Sequence, residues 1–365
     1  MHLVRVNTKR LKKEFIDLYY RVYARHQANR DNFNHVAANF LYKKDSFSRD
    51  CQLEPVLIFD AGHFVARAVL LRHPRMDALQ LSCFEALPGK PGAIDLLLER
   101  ASRLAGEWGV EKVIIGMNGH LTYGVGFLQD HQNLPAAFSG AYSPEYYPEY
   151  FSERGFIEHT LTTYYADPAI FDLPKKLIER AYSGISYRLI HLNDLKREMA
   201  TLGDLFNKTL KDTRFYFHKN IRESYEMIRA IRPLLKNNNI IYAMKDGKEI
   251  GFVIWHPNFN EVIPDNSRIN PFLFFLRCKF FGGRIREFMI NTIGVLSEYK
   301  NTGVALGLIH EVFKQVNGVY LGGETSFVWD DNFKSTRFCR TLCRHALRHY
   351  VVYEWRLDGN VAGRA

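Results

Sequence analysis

"TIGVLSEYKNTGVALGLIHEVFKQV", residues Thr292 to Val316, reads as the end of a strand, a tight turn and an amphipathic helix. The turn puts Gly303 and the small Ala305 where the helix begins, with no acidic residue in its first turn. A helix start carries amide N–H groups without intrahelical partners and a partial positive charge. Small residues there let a ligand come close to the backbone, which suits an anion, a phosphate first among the candidates. An ordinary strand-to-helix turn would look the same, and one Gly and one Ala do not choose between the two.

Periodicity on either side of this stretch repeats one order of elements twice. In the second half, "SYRLIHL" (186–192) is a strand, and "LNDLKREMATLGDLFNKTL" (192–210) and "ESYEMIRAIRPLLKN" (223–237) are helices. "NIIYAMKDGKEIGFVIWHP" (239–257) is a hairpin turning at Asp246-Gly247, and "REFMINTIGV" (286–295) leads into the opening stretch. "VYLGGETSFVWDDN" (319–332) is the next strand, "KSTRFCRTLCRHAL" (334–347) a helix and "HYVVYEWRL" (349–357) the last strand.

The first half has a hairpin through Asp60-Ala61-Gly62 and a third strand, "ALQLSCFEAL". Next come the helix "AIDLLLERASRLAGEWG", the strand "VEKVIIGMN", a short helix in "SPEYYPEYFSERGF" and a strand "IEHTLTTYYA". The expected fold class is α+β: two lobes in tandem, each a mixed, mainly antiparallel sheet flanked by helices. The lobes are placed at 1–168 and 185–365, with a linker over 169–184.

Composition bounds the function. The 365 residues are 47% hydrophobic and 24% charged, which is globular. No run of about 18 apolar residues spans a membrane, and the start, "MHLVRVNTKRLKKEF", lacks the apolar core of a secretory signal. Five scattered cysteines fit a reducing cytoplasm better than a disulfide framework. A net charge of +10 favours an anionic partner: nucleic acid, a phosphorylated cofactor or an anionic membrane face. Against nucleic acid, the cations are dispersed and no helix-turn-helix, finger or RNP signature is present.

The second half resembles the GNAT superfamily, the GCN5-related N-acyltransferases. Their cofactor motif, Arg/Gln-x-x-Gly-x-Gly/Ala, has its counterpart in Lys300-Asn301-Thr302-Gly303-Val304-Ala305, with lysine in the first place. It joins the right strand to the right helix, and "WDDNFKSTRF" resembles the family's Asn-bearing segment. Through "IIGMNGH", "YGVGFLQD", "YSPEYYPEYFSERGF" and "INPFLFFL", nearly the whole chain resembles bacterial tandem-GNAT proteins. That group is identified with hypothetical acyltransferases and includes enzymes that N-acylate sphingoid bases to ceramides.

The resemblance implies acyl-CoA as co-substrate, no metal and an amine acceptor. It places the cofactor on Lys300 through Ala305, on strand residues Ile293 and Val295, and on Asn332. The amide near Val295 is the implied oxyanion donor. The first half is degenerate by the same measure. "FEALPGKPGAIDLL" has Gly89, Gly92 and Ala93 but no Arg or Gln in register, and Pro88 and Pro91 remove amide donors. Tyr146, Tyr147 and Tyr150 either line its cleft or pack.

Acyl transfer to an amine needs a base, because an amine of pKa about 10.4 is neutral about once in 2,500 molecules at pH 7. Glu324 is the first candidate; a carboxylate paired with one of many surface cations is the competing reading. Strand alternation would put Glu324, Ser326 and Val328 on one face and Thr325, Phe327 and Trp329 on the other. Asp330, Asp331 and His310 are weaker candidates. The family's acidic tyrosine after the Asn segment has no counterpart, since Phe338 and Cys339 stand there, and water is the substitute acid. Tyr350 and Tyr353 fit packing in an alternating strand. Cys339, Cys343, His345 and His349 mimic a metal set, but their spacing favours buried thiols on a basic helix.

The insert "INPFLFFLRCKFFGGRIREF" (269–288) mixes Phe272, Leu273, Phe280 and Phe281 with Arg277, Lys279, Arg284 and Arg286. It suits either a membrane interface or acyl-chain entrance, or an arm covering the other lobe. The expected function is an acyl-CoA-dependent N-acyltransferase in the cytoplasm with a lipidic, sphingoid-base-like acceptor or a long-chain donor. Peripheral contact with the inner membrane through the insert is the accompanying option. Alternatives are acetyl transfer to a small amine or amino acid, and a non-catalytic GNAT-like protein that binds a lipid or a partner.

Overall fold

The computed structural model describes residues 1–170, 173–264, 268 and 270–357. The chain opens with β1 (His2–Arg5) and three helices that sequence periodicity did not separate, α1 (Lys9–Val22), α2 (Asn34–Tyr42) and α3 (Ser46–Asp50). Then come β2 (Gln52–Asp60), β3 (His63–Arg72), β4 (Leu79–Ala86), α4 (Pro91–Glu107), β5 (Lys112–Ile115), β6 (Phe127–Leu128) and β7 (Ile157–Ala166). The β2–β3 hairpin turns through Ala61 at φ 48° and Gly62 at φ 88°, the paired left-handed conformation of a tight hairpin turn.

In the second half, α5 (Lys175–Tyr182) occupies half of the stretch read as linker, of which residues 171 and 172 lie outside the described residues. It is followed by β8 (Ser186–Leu189), α6 (Leu195–Leu210), α7 (Ile221–Ile231), β9 (Ile240–Lys245) and β10 (Lys248–Pro257). The remainder is α8 (Pro271–Phe281), β11 (Glu287–Val295), α9 (Val304–Val316), β12 (Gly322–Thr325), β13 (Val328–Trp329), α10 (Phe333–Leu342) and β14 (His345–Arg356). No helix among the described residues is long and apolar enough to cross a membrane.

The two expected sheets are one. A single 14-stranded sheet runs β1-β2-β3-β4-β5-β14-β7-β12-β11-β10-β9-β8, with β6 on β14 and β13 on β7. It is antiparallel except for β4–β5 and β11–β12. The halves exchange strands: β14, last in the chain, pairs with β5 of the first half, while β7 pairs with β12 of the second.

Both faces of the second half's sheet are covered, which explains its unbroken apolar runs. On β9 and β10, Ile241, Ala243, Val253 and Trp255 pack toward α9, and Ile240, Tyr242, Phe252 and Ile254 toward α6 and α7. The α9 face that meets them is Val304, Leu308, Val312 and Val316, a helical repeat. A separate cluster ties the halves together through Ile114, Met117, Leu161, Trp329, Tyr350 and Val352.

Three expectations need correction. The stretch 143–156 is not a short α-helix but two 3₁₀ turns, Pro148–Tyr150 and Ser152–Arg154, ended by Gly155 at φ 70°. The strand expected over 319–332 is broken between β12 and β13. The helix expected to run to Leu347 stops at Leu342, and His345 onward belongs to β14 because pairing with β7 satisfies that backbone.

Candidate active site

β11 and β12 run parallel and in register only from Glu287↔Gly322 to Ile290↔Thr325. Beyond that they part, and Asn291 through Val295 have no partner in β12. The parting starts at a bulge, where Ile254 and Trp255 of β10 face Thr292 and Ile290 and Asn291 is the extra residue. A cavity of about 230 Å³ lies in this opening. β11 lines it from Met289 to Ile293, α9 and α10 contribute Ile309, Phe313, Phe338 and Leu342, and α6 and the loop after it contribute Phe206, Leu210, Tyr216 and Lys219. The first half supplies Thr122, Val125, Ser139 and Thr163.

The expected site residues divide into two places. Glu324, Ile293 and Asn332 line the cavity. Lys300 through Ala305 sit outside its lining, at the start of α9, and Val295 is buried in the core beneath that helix.

At the α9 start, Gly303 has φ 97° and Asn301 φ 69°. Arg180 of α5 donates to the Asn301 carbonyl at 2.8 Å, and the Thr302 hydroxyl donates to the Tyr299 carbonyl at 2.7 Å. Among the described residues the amides of Gly303, Val304, Ala305 and Leu306 make no hydrogen bond. Glycine is required here twice over: a Cβ on Gly303 would have a left-handed backbone and would lie 3.2 Å from Ala181 Cα. Arg180 escaped sequence reading because it falls in the segment taken as linker.

The corresponding turn in the first half is closed. The Tyr147 hydroxyl accepts the Ala86 N–H at 2.9 Å and donates to Glu85 at 2.7 Å. Tyr146 donates to the Ala86 carbonyl at 2.9 Å, and Tyr150 donates to the Leu87 carbonyl at 2.7 Å. The Lys90 N–H donates to Tyr150 at 3.2 Å. Tyrosine hydroxyls thus occupy two donors, the Ala86 and Lys90 amides, that an incoming phosphate could use.

Glu324 is 7% exposed. It accepts Thr163 Oγ1–H at 2.8 Å and Arg348 Nε–H at 3.2 and 3.4 Å. Its partner is therefore a buried arginine of β14 rather than a surface cation. Burial pushes its carboxyl up from the ordinary range, and Arg348 opposes that shift. Arg348 also donates to the carbonyls of Leu134 and Pro135 at 3.2 and 2.9 Å, joining three segments of the chain. The expected two-faced alternation fails after Glu324. Glu324 through Trp329 all line the cavity, because the break between β12 and β13 turns both sets inward.

Asn332 caps α10, accepting the Ser335 N–H at 3.2 Å. His310 faces the Tyr182 hydroxyl at 2.8 Å and ties α9 to α5. Asp330 accepts from Thr162 at 2.7 Å, and Asp331 pairs with Arg214. Tyr350 lines the cavity and donates to the Ala141 carbonyl at 3.3 Å, while Tyr353 is buried in the first half's core. Cys339 and Cys343 line the cavity with burial pushing each thiol up to about 12. His345 stacks on Tyr165 and His349 pairs with Asp130 at 2.5 Å, so the four do not converge.

Solved structures share this overall order of strands and helices. The chain has the tandem GNAT fold. A GCN5-related glucosamine N-acetyltransferase region of a fungal multi-domain GH3 β-N-acetylglucosaminidase superposes with a TM-score of 0.60 at 16% identity. That match covers 97% of this chain, which spans only 38% of the fungal one. A tandem GNAT protein from the clavulanic acid biosynthesis pathway matches over 98% of this chain and 99% of its own, with a TM-score of 0.55 at 12% identity. A GCN5-related N-acetyltransferase from Sphaerobacter thermophilus gives 0.53 at 12% identity, over 97% and 96% of the two chains. No family model and no curated protein matches the sequence.

Proposed function

We propose that the protein is an acyl-CoA-dependent N-acyltransferase. The carrying observation is the opening between β11 and β12, with free amides at the α9 start on one side and a buried carboxylate, Glu324, inside. The amides and Lys300 hold the pyrophosphate of CoA, which suits both the unpaired donors and the helix dipole. The thioester enters the opening, where the unpaired edge near Ile293 and Val295 supplies an N–H to its oxygen. The acceptor nitrogen bonds to the acyl carbon as its proton passes to Glu324, directly or through one water. The carbon–sulfur bond breaks, and the CoA thiolate takes a proton delivered by water.

The cavity walls are mainly apolar, and about 230 Å³ exceeds the roughly 150 Å³ of an engineered cavity that takes benzene. An apolar lining of that size suits an alkyl segment of several methylenes better than an acetyl group alone. The exterior supports the same reading. On α8, Phe272 is 66% and Phe280 71% exposed, and Leu273 and Phe281 are exposed beside them. Arg277, Lys279 and Arg284 flank this face, while Phe274 and Cys278 anchor the helix to Phe259, Val262 and Ile285. An anchored helix with an apolar outer face and basic neighbours suits contact with an anionic membrane, from which a lipidic substrate would arrive.

Gly303→Trp is expected to weaken CoA binding by more than about tenfold, because the side chain covers several amides and pushes α5 from the turn. Calorimetry with free CoA measures this, and circular dichroism checks that the variant is folded. Unchanged affinity in a folded variant would remove the turn from the site.

A further inference from the structure

Where the loop after α6 lines the cavity, it holds polar groups that acyl transfer does not use. Lys219, in the loop between α6 and α7, lines the cavity and is 4% exposed. Among the described residues no carboxylate pairs with it; its ammonium has the Met227 sulfur at 3.9 Å and the Phe206 ring at 5.4 Å. Burial holds it down to about 8, with Glu223 opposing. Glu223 itself is taken by Arg75 and by the amide of Asn220. The loop is fixed from below, where Asn207 accepts the Lys219 N–H at 2.9 Å and donates to its carbonyl at 2.9 Å.

The first half brings a second unpaired group to the cavity, Thr122, and places His120 close to it in the chain. The His120 ring stacks on Phe217 with centroids 4.7 Å apart, which sets residues 120–122 against residues 217–219. His120 Nε2 and Thr122 Oγ1 are both buried without a hydrogen-bond partner, and Thr122 lines the cavity. His120 is 4% exposed and held neutral, by burial first and then by Lys219, Arg75 and His73. A buried ammonium without a paired carboxylate and an orphaned hydroxyl are each costly, and a ligand in the cavity that satisfies Lys219 and Thr122 removes that cost.

We propose that this end of the cavity binds an anionic group, a carboxylate or phosphate monoester, carried by the acceptor amine. Lys219 supplies the charge and Thr122 a hydroxyl donor, with His120 beside them. The acceptor is then an amine bearing its own anion, an amino acid or a phosphorylated amino alcohol, with or without an alkyl chain. This rests on the acyltransferase reading for the word acceptor, but the anion site stands on its own geometry.

The test is an equilibrium titration of the full chain labelled with ¹⁵N, following the indole N–H of Trp329, which lines the same cavity. Matched probes are leucine against leucinamide, and phosphoethanolamine against ethanolamine. At least one anionic probe is expected to shift the signal, its neutral partner to fail, and Lys219→Met to weaken the anionic probe by about thirtyfold or more. Whichever anion binds tells carboxylate from phosphate. Proton uptake on binding near pH 8 is the second readout, because an anion beside Lys219 raises its pKa and a merely structural lysine would show none. Binding of neither anionic probe, equal binding of the neutral partners, or a Lys219→Met protein that binds the anion as tightly as the wild type would overturn the proposal. No acyl-CoA is present in the titration, so failure to bind CoA strikes the acyltransferase reading and leaves this result standing.

Discussion

Glu324→Gln is expected to lower turnover by about 10²–10⁴-fold, the usual range for loss of a general base. Glutamine keeps the shape of the side chain and can still accept from Thr163, but it cannot take a proton from the acceptor. The wild-type rate should rise with pH as Glu324 ionises. Because burial raises this carboxyl, that rise lies above the ordinary glutamate range. In Glu324→Gln the limb is absent, and only the titration of the amine remains. One complication is Arg348, which the substitution leaves buried beside a neutral amide at a cost of about 3–5 kcal/mol if nothing else relaxes. The double variant Glu324→Gln/Arg348→Met removes that charge. If the double variant regained wild-type turnover, Glu324 would be a strut between β12 and β14 rather than a base.

The second large effect is chain length. Each buried methylene is worth about 0.8 kcal/mol, so six contribute roughly 5 kcal/mol before the cost of ordering the chain. That is on the order of a thousandfold in kcat/KM between palmitoyl- and acetyl-CoA. The assay follows thiol release from acetyl-, octanoyl- and palmitoyl-CoA with glycine, spermidine and a sphingoid base as acceptors. Fastest transfer from acetyl-CoA to a small hydrophilic amine would refute the lipidic reading and leave the N-acyltransferase reading intact.

Local chemistry made much of this fold legible. The Asp60-Ala61-Gly62 and Asp246-Gly247 turns adopt the left-handed conformations that those residues tolerate, and both hairpins follow. Asn332 sets the start of α10, whereas the cap at Asn220 puts the start of α7 at Ile221, ahead of the start that periodicity gives at Glu223. What could not be read is pairing over long distance. Nothing in "HYVVYEWRL" tells that it pairs with β5 and β7 rather than with its own half, since an apolar alternation fits either slot. Arg348 went unnoticed for that reason: its burial against Glu324 depends on where β14 lands. Lys219 and His120 gave no signal either, because a lone cation in a loop is ordinary until a fold removes its water.

Strand exchange has a consequence for how the chain is made. While residues 1–166 leave the ribosome, β5 and β7 present open edges, and β14, which closes the gap between them, begins only at His345. An unpaired sheet edge is a template for association with another chain. Nascent first lobes on neighbouring ribosomes could therefore borrow one another's late strands, giving a domain-swapped pair in place of a monomer. Closure of this sheet therefore waits for His345–Arg356, long after β5 and β7 have been made.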